Sequence, residues 1–440
     1  MSYIQTKIPT IFDWQIRSIG SSSRLLLASA VLVILSSGCS VSASIAEREV
    51  GSDEKVDATT EEKIRSVNVD FYDLNYFARK HGVEKWDSPA IGHLFDQLKD
   101  LGINRVFWRV SIMGLEAYPS KVRTTFPGPG GGVEPLFLLE GQQKLADLLA
   151  EGFNPLEAAI EHGKRTGIGV YAWATLYDEY GHVENGNFAS QFVLKNPQYQ
   201  WTSRDGERYF KGVLSYNFPE VRAHRMDELR EILSFGPDGV YLCTRTHAFY
   251  LNEDSGDDFG YEAPVREAYL ERFGVDITKE EFDLELWRVL RTEGILSFMR
   301  EASAAAKASS AELVFGVKSA NLDNMGWPYG NAKSPWKQFV SEGLVDGIVF
   351  GHYLTSPNKL PEIAQEFNAV SGSAGVDKLL WIQLYNYQKN ALVSPESLRL
   401  LLEALEVNDF DGGTFHQVDH LIDAKDLKKL ETGIAPFFAQ

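Results

Sequence analysis

Beyond Ser66, short apolar or alternating stretches give way to amphipathic ones again and again, and this rhythm constrains the fold more than any other feature. Strands are predicted over residues 66–71, 105–110, 169–175, 239–244, 313–318, 347–350, 379–384 and 413–415. Helical patterns lie between them, over 89–101, 155–166, 220–234, 281–307, 335–342, 361–370 and 395–407. Several open with a proline behind Ser or Asn, as at Ser88-Pro89, Asn154-Pro155, Ser334-Pro335 and Ser394-Pro395, a pairing that suits the first helical turn. Strands joined by crossover helices form parallel sheets, and eight such units close most economically into an α/β barrel of the (β/α)8 or TIM type. An open doubly wound sheet is the alternative, but no Gly-x-Gly-x-x-Gly follows the first strand.

Loop lengths place the site. Helix-to-strand turns are short, as at Leu101-Gly-Ile-Asn104, whereas strand-to-helix connections over 111–153, 176–219 and 246–263 are long. Long loops on that side crowd the C-terminal face, where barrel enzymes keep their chemistry. Side chains alternate along a strand, so the polar member of each alternation is expected to face the barrel axis. That rule selects Asn68 and Asp70 on the first strand, Arg109 and Ser111 on the second, and Trp173 and Thr175 on the third. It continues with Tyr241, Cys243, Arg245 and His247 on the fourth, Lys318 on the fifth, His352 on the sixth, Gln383 and Tyr385 on the seventh, and His416 on the eighth. Of the adjacent Asp178 and Glu179, only one can point inward. Trp201, beside a hairpin expected around Arg204-Asp-Gly206, joins Trp327 and Tyr329 as loop aromatics whose flat faces suit the C–H face of a sugar. Arg109 or Arg245 pairing with Asp70 as a structural ion pair is the plain alternative to a binding role.

The chain carries 61 acidic against 43 Lys and Arg residues, a net charge of −18, without a basic cluster, which argues against nucleic acid as a partner. Two cysteines build no disulfide framework. His247, His352 and His416 show no metal-ligand spacing, and Phe126-Pro-Gly-Pro-Gly-Gly-Gly132 lacks the Gly-Lys-Ser/Thr ending of a phosphate loop, so neither a metal nor a cofactor is expected.

The N-terminal segment stands apart. Lys7, Arg17 and Arg24 precede an apolar run over residues 25–35, and Ser36, Ser37 and Gly38 lead to Cys39. Eleven apolar residues fall short of the roughly 20 that a bilayer core needs. A basic start, a short apolar run and a small-residue exit form an export signal over residues 1–38. The exit resembles a bacterial lipobox, which implies acylation of Cys39; the leucine usual three places earlier is Ser36 here, with Leu35 one place further out. Plain secretion is the alternative. Residues 39–62 are polar and charged and read as a tether, leaving 63–436 for the barrel. The expected location is the bacterial cell envelope, with membrane contact only through the lipid.

Asp238-Gly-Val-Tyr-Leu242 resembles the entry to strand four in glycoside-hydrolase-like TIM barrels, the family-10-like glycosylhydrolases. Phe259-Gly-Tyr-Glu262, the following Arg272-Phe-Gly-Val-Asp276, Tyr171-Ala-Trp173, residues 213–221, and Trp287, Arg288 and Arg291 fit the same family, over roughly residues 66–417. The resemblance implies a glycosidase with a carbohydrate substrate. Its relatives carry an acidic residue where this chain has Cys243, and strand seven ends in Gln383-Leu-Tyr385 rather than a carboxylate. Glycoside hydrolysis needs two carboxyl groups. Glu262, with Asp178 or Glu179, is the candidate catalytic pair; Asp70, Arg109, Trp173, Arg245, His247, Lys318, Trp327, His352, Tyr385 and His416 are candidates for substrate binding. Arg109, Arg245 and Lys318 gathered in one mouth point to an acidic glycan. A non-catalytic carbohydrate-binding lipoprotein on the same scaffold is the rival reading, and a metal-dependent barrel hydrolase rests only on the histidines.

Overall fold

The computed structural model describes residues 62–70, 82, 85–128, 136–181, 188–245, 258–318, 322–326, 328–351, 355–372, 375–386, 389 and 391–423. The export signal, Cys39 and nearly all of the tether therefore lie outside the described residues, as do His247, Trp327 and His352.

Eight parallel strands close into a barrel: β1 Ile64–Val69, β2 Arg105–Arg109, β3 Gly169–Thr175, β4 Gly239–Cys243, β5 Glu312–Val317, β6 Gly347–Phe350, β7 Asp377–Gln383 and β8 Gly412–His416. Each pairs with its neighbours in sequence, and β8 closes on β1 with Ile64 opposite Gly412 and Val67 opposite Phe415. The predicted alternation is therefore the observed order. Strands β3 and β6 and the helices Pro155–Thr166 and Pro395–Val407 fall where the sequence places them, and most other boundaries shift by one or two residues.

Caps explain some of those shifts. Asn154 accepts from the N–H groups of Leu156 and Glu157, and Ser394 from that of Ser397, so both helices start at the following proline. At Ser88-Pro89 the cap is one residue earlier, because the Asp87 carboxylate accepts from Ala90 N–H. Pro335 is itself the residue before its helix, and no side chain caps it. The helix Leu136–Ala150, inside the long β2 connection, has no counterpart among the predicted elements.

The barrel interior has three chemical zones. At the N-terminal end Arg105 bridges Glu312 at 3.4 Å and Asp377 at 3.3 Å, lies 4.3 Å over the Tyr171 ring, and the Tyr171 hydroxyl donates to Glu312 at 2.6 Å. Burial, with Glu312 and Asp411 nearby, pushes the Asp377 carboxyl up to about 6. Above this plug sits an aromatic layer of Phe107, Tyr171, Trp173, Tyr241 and Trp381 with Cys243, Val314, Val349 and Leu379. Gly316 makes room for it, since a Cβ there would meet the Tyr241 hydroxyl at 2.6 Å. The third zone, at the C-terminal ends of the strands, is polar. The apolar faces of the strands and the surrounding helices form the larger core outside the barrel wall.

Candidate active site at the barrel mouth

On the fourth strand the described side chains follow the predicted alternation. Tyr241 and Cys243 belong to the interior cluster, while Val240 and Leu242 pack on the helix side. One step beyond Cys243, Arg245 lies 4.8 Å from the Trp381 ring and 5.6 Å from the Trp173 ring.

Arg109, at the end of β2, organises the acidic side of the mouth. Its Nη1 donates to Asp70 at 2.5 Å, its Nη2 to Asp178 at 3.4 Å, and its Nε to the Ser111 carbonyl at 3.0 Å. Both carboxylates are almost fully buried. Asp178 also accepts from the Met113 N–H at 3.0 Å, which ties the β3 end to the ribbon Ser111–Ile112/Leu115–Glu116. Because one guanidinium holds both, the accepting oxygens lie no more than roughly 8 Å apart, below the upper limit for glycosidase carboxyl pairs. The structural ion pair between Arg109 and Asp70 is thus present, and it is also part of the mouth.

Glu179 faces the other way. It receives hydrogen bonds from Arg123 at 2.9 Å and Arg225 at 2.8 Å, and Arg123 also contacts Glu116 and Glu228 at 2.8 and 2.7 Å. Arg225 and Glu228 stand on the helix Pro219–Ser234, outside the barrel. Despite complete burial, the two guanidinium groups lower the Glu179 carboxyl to about 2, whereas burial and the neighbouring Glu228 raise that of Glu116 well above its ordinary value. The catalytic role considered for Glu179 is corrected on this ground: it is a structural anion in a closed ion cluster. Asp178 is the inward member of the pair.

Glu262 precedes the helix Ala263–Phe273 and is 2% exposed. The Phe259-Gly260-Tyr261 turn pins it to the hairpin Gln200–Thr202/Tyr209–Leu214, with the N–H groups of Gly260 and Tyr261 both donating to the Thr202 carbonyl at 3.0 Å. Gly260 is required there: its φ is +113°, and a Cβ would lie 2.3 Å from Arg291 Nε. The Glu262 carboxyl accepts from Thr202 N–H at 3.4 Å, and burial raises its pKa against the opposing pull of Arg291. Glu262 and Asp178 are therefore held by different partner sets.

The expected sugar platforms are differently placed. Trp201 and Tyr329 are 6% and 0% exposed; Trp201 packs edge-on with Tyr177, Phe210 and Tyr329, and Tyr329 lies tilted against Tyr177, which fixes the loops rather than offering open faces. Trp173 is also corrected as a direct binding residue: it is fully buried, its indole N–H donates to Cys243 Sγ at 3.1 Å, and the Arg109 guanidinium lies 4.8 Å above its ring. Tyr385 is half-buried and stacks on His420 at 4.7 Å.

On the basic side, burial and the nearby Arg245 charge lower the Lys318 ammonium to about 7, opposed by Cys243 and Asp178. His416 lies 4.4 Å from the Trp381 ring and is held neutral by burial and the Arg245 charge. Gln383, which strand alternation places in the mouth, accepts from the Trp381 indole N–H at 3.2 Å. The cluster around Arg123 escaped sequence reasoning because its members are spread from Glu116 to Glu228 and share no spacing.

No family model matches the chain. It is similar to the glycosyl hydrolase DigH of Escherichia coli O6:H1, with 24% identity over 283 residues that cover 58% of this chain and 55% of that protein. The K12 form of DigH matches at 23% over the same coverage. The chain thus aligns with about half the length of these curated relatives. Among solved structures it resembles the PgaB (BpsB) glycoside hydrolase domain from Bordetella bronchiseptica, with a TM-score of 0.54, 15% identity, and coverage of 84% of this chain and 98% of that one. The β-amylase catalytic domain of Paenibacillus polymyxa gives a TM-score of 0.51 at 9% identity, covering 83% and 94%. These structural likenesses concern the barrel fold.

Proposed function

We propose that the protein is a glycoside hydrolase acting on an oligo- or polysaccharide at the barrel mouth, with Asp178 as the ionised carboxylate and Glu262 as the proton donor. The observation that carries this reading is the contrast between the two carboxyls. Asp178 is salt-bridged to Arg109, which favours a charged nucleophile or base; Glu262 is buried where the protonated form is favoured. Two carboxyls whose surroundings push them toward opposite protonation states are what acid–base cleavage of a glycosidic bond uses. The similarity to proteins named glycosyl hydrolase supports the same chemistry. Asp70 is the alternative partner for Asp178, on the observation that Arg109 joins both. No step calls for a cofactor.

Reducing-sugar release over a panel of glycans tests the proposal. Asp178→Asn should lower the rate by about a hundredfold or more, as should one of Glu262→Gln and Asp70→Asn. Glu179→Gln should cost stability and lower the rate per folded molecule far less than Asp178→Asn does. If all of these variants release sugar as wild type does, the carboxyl assignment is wrong. If wild type binds glycans but cleaves none, the rival reading of a non-catalytic carbohydrate-binding protein takes its place; Cys243, standing where the resembled family has an acidic residue, is the observation that favours it.

A further inference from the structure

Three hydrogen-bonding atoms around the Trp381 ring stand without a partner among the described residues: Arg245 Nη1, Gln383 Nε2 and His416 Nδ1. Gln383 and His416 are 4% and 3% exposed, so water does not freely satisfy them. Their positions are mutually fixed. Gln383 lies opposite His416 in the β7–β8 register, the Trp381 indole N–H occupies Gln383 Oε1 at 3.2 Å, the His416 ring lies 4.4 Å from the Trp381 ring, and Arg245 covers Trp381 at 4.8 Å. The indole fixes which end of the Gln383 amide is the oxygen, and the unpartnered Nε2 is a donor. The Arg245 guanidinium has donors alone, and a neutral imidazole can present Nδ1 as an N–H. Leaving a buried donor unmade is costly, and three atoms around one ring that can each donate imply an acceptor that completes them.

Charge says what kind of acceptor. Arg109 is already engaged with Asp70 and Asp178, whereas Arg245 forms no ion pair among the described residues. Lys318 lies close enough for the two cations to repel, which adds positive potential on the same side. A hydroxyl could take one of the three N–H groups; an anionic oxygen pair takes several and offsets the charge as well.

We propose that Arg245, Gln383 and His416 form a subsite for an anionic substituent of the sugar, a carboxylate or a sulfate ester, seated over the Trp381 edge of the mouth. This rests on the carbohydrate reading above and specifies the substrate class, assigning the recognition of charge to the β4, β7 and β8 ends rather than to Arg109. Gln383 is the residue that separates this site from a purely electrostatic patch, because it adds direction without charge.

The test is equilibrium binding by the full chain, followed through indole fluorescence without turnover. The probes are three length-matched oligosaccharide series: one bearing uronate carboxylates, one with those carboxyls reduced to hydroxymethyl groups, and one bearing sulfate esters. Wild type should prefer one anionic series over the reduced one by about tenfold or more, the weight of one charge-assisted contact. Which anionic series wins identifies the group. Arg245→Gln should bring the preference to within about threefold, and Gln383→Glu, which puts a like charge beside the anion, should reverse it. Equal binding of charged and reduced series by wild type, or an undiminished preference in Arg245→Gln, overturns the subsite. Should Gln383→Glu fail to fold, His416→Gln reads the same ratio. Preference without bond cleavage would sink the hydrolase reading and leave the subsite standing; cleavage without preference would do the reverse.

Discussion

Arg123 donates to Glu179 at 2.9 Å with the two side chains 1% and 0% exposed, and that bond joins the β2 connection to the β3 end. Arg225 reaches the same carboxylate from the helix Pro219–Ser234 and donates to the Thr175 carbonyl at 2.7 Å. Asp178 is the next residue along the chain from the mouth side, so the cluster holds the backbone that aims it. Taking charges out of water is costly, and such a cluster persists only when each charge is matched.

Removing one partner should therefore be severe. Arg123→Gln leaves Glu116, Glu179 and Glu228 buried with one guanidinium among them, a loss of about 3–5 kcal/mol. Arg165→Gln breaks an ion pair whose members are 47% and 54% exposed and should cost under about 1 kcal/mol. Denaturant titration of both variants checks this; equal, small shifts would remove the cluster from any structural role.

The barrel was legible because its signal is periodic and local. The hydrophobic period repeats eight times, four proline–cap pairs mark helix starts and three long connections fall on one side of the strands, while strand alternation alone aimed Asp70, Arg109, Cys243 and Lys318 inward. What the sequence could not resolve was which of two adjacent carboxylates turns inward, since Asp178 and Glu179 differ only in their distant partners, Arg109 against Arg123 and Arg225. Aromatic loop residues misled for a related reason. Trp201 and Tyr329 bear the chemistry of a sugar platform, but their use is set by the Tyr177 ring they meet in space. The helix Leu136–Ala150 was missed because it follows a glycine- and proline-rich stretch that reads as loop.

Glu262 should leave a pH signature in stability as well as in rate. Its folded carboxyl is raised by burial, so its contribution is fully present below the unfolded value of roughly 4.3 and is lost as pH rises through the raised folded value. If it is the proton donor, activity falls over the same rise. Glu262→Gln should flatten that part of the stability–pH curve; a curve identical to wild type would mean the carboxyl is not perturbed in the native state.

The export and anchoring expected of residues 1–39 can be checked independently of the barrel. Wild type expressed in a bacterium should partition into detergent, and Cys39→Ala should appear as a soluble species. Unacylated wild type free in the periplasm or medium would reject the anchor and favour plain secretion.

Lys318 gives the last prediction, because its charge is set by its neighbours. Burial and Arg245 lower its ammonium to about 7, while Cys243 and Asp178 pull the other way. His416 stays neutral through burial and the Arg245 charge, so of the two Lys318 is the one that changes charge between pH 6 and pH 8, values placed about one unit either side of its midpoint. Below that midpoint it is cationic and reinforces Arg245; above it the mouth loses one positive charge. Affinity for a carboxylated oligosaccharide should therefore fall as pH rises from 6 to 8, while affinity for its carboxyl-reduced counterpart stays level. Lys318→Met should remove the slope and settle at the weaker, high-pH affinity. In wild type, raising salt should shrink the slope, since partly exposed charges are screened over roughly 8–10 Å. Fluorescence titrations at the two pH values decide it: a slope that survives Lys318→Met would assign the titration to another group and leave Lys318 without a part in binding.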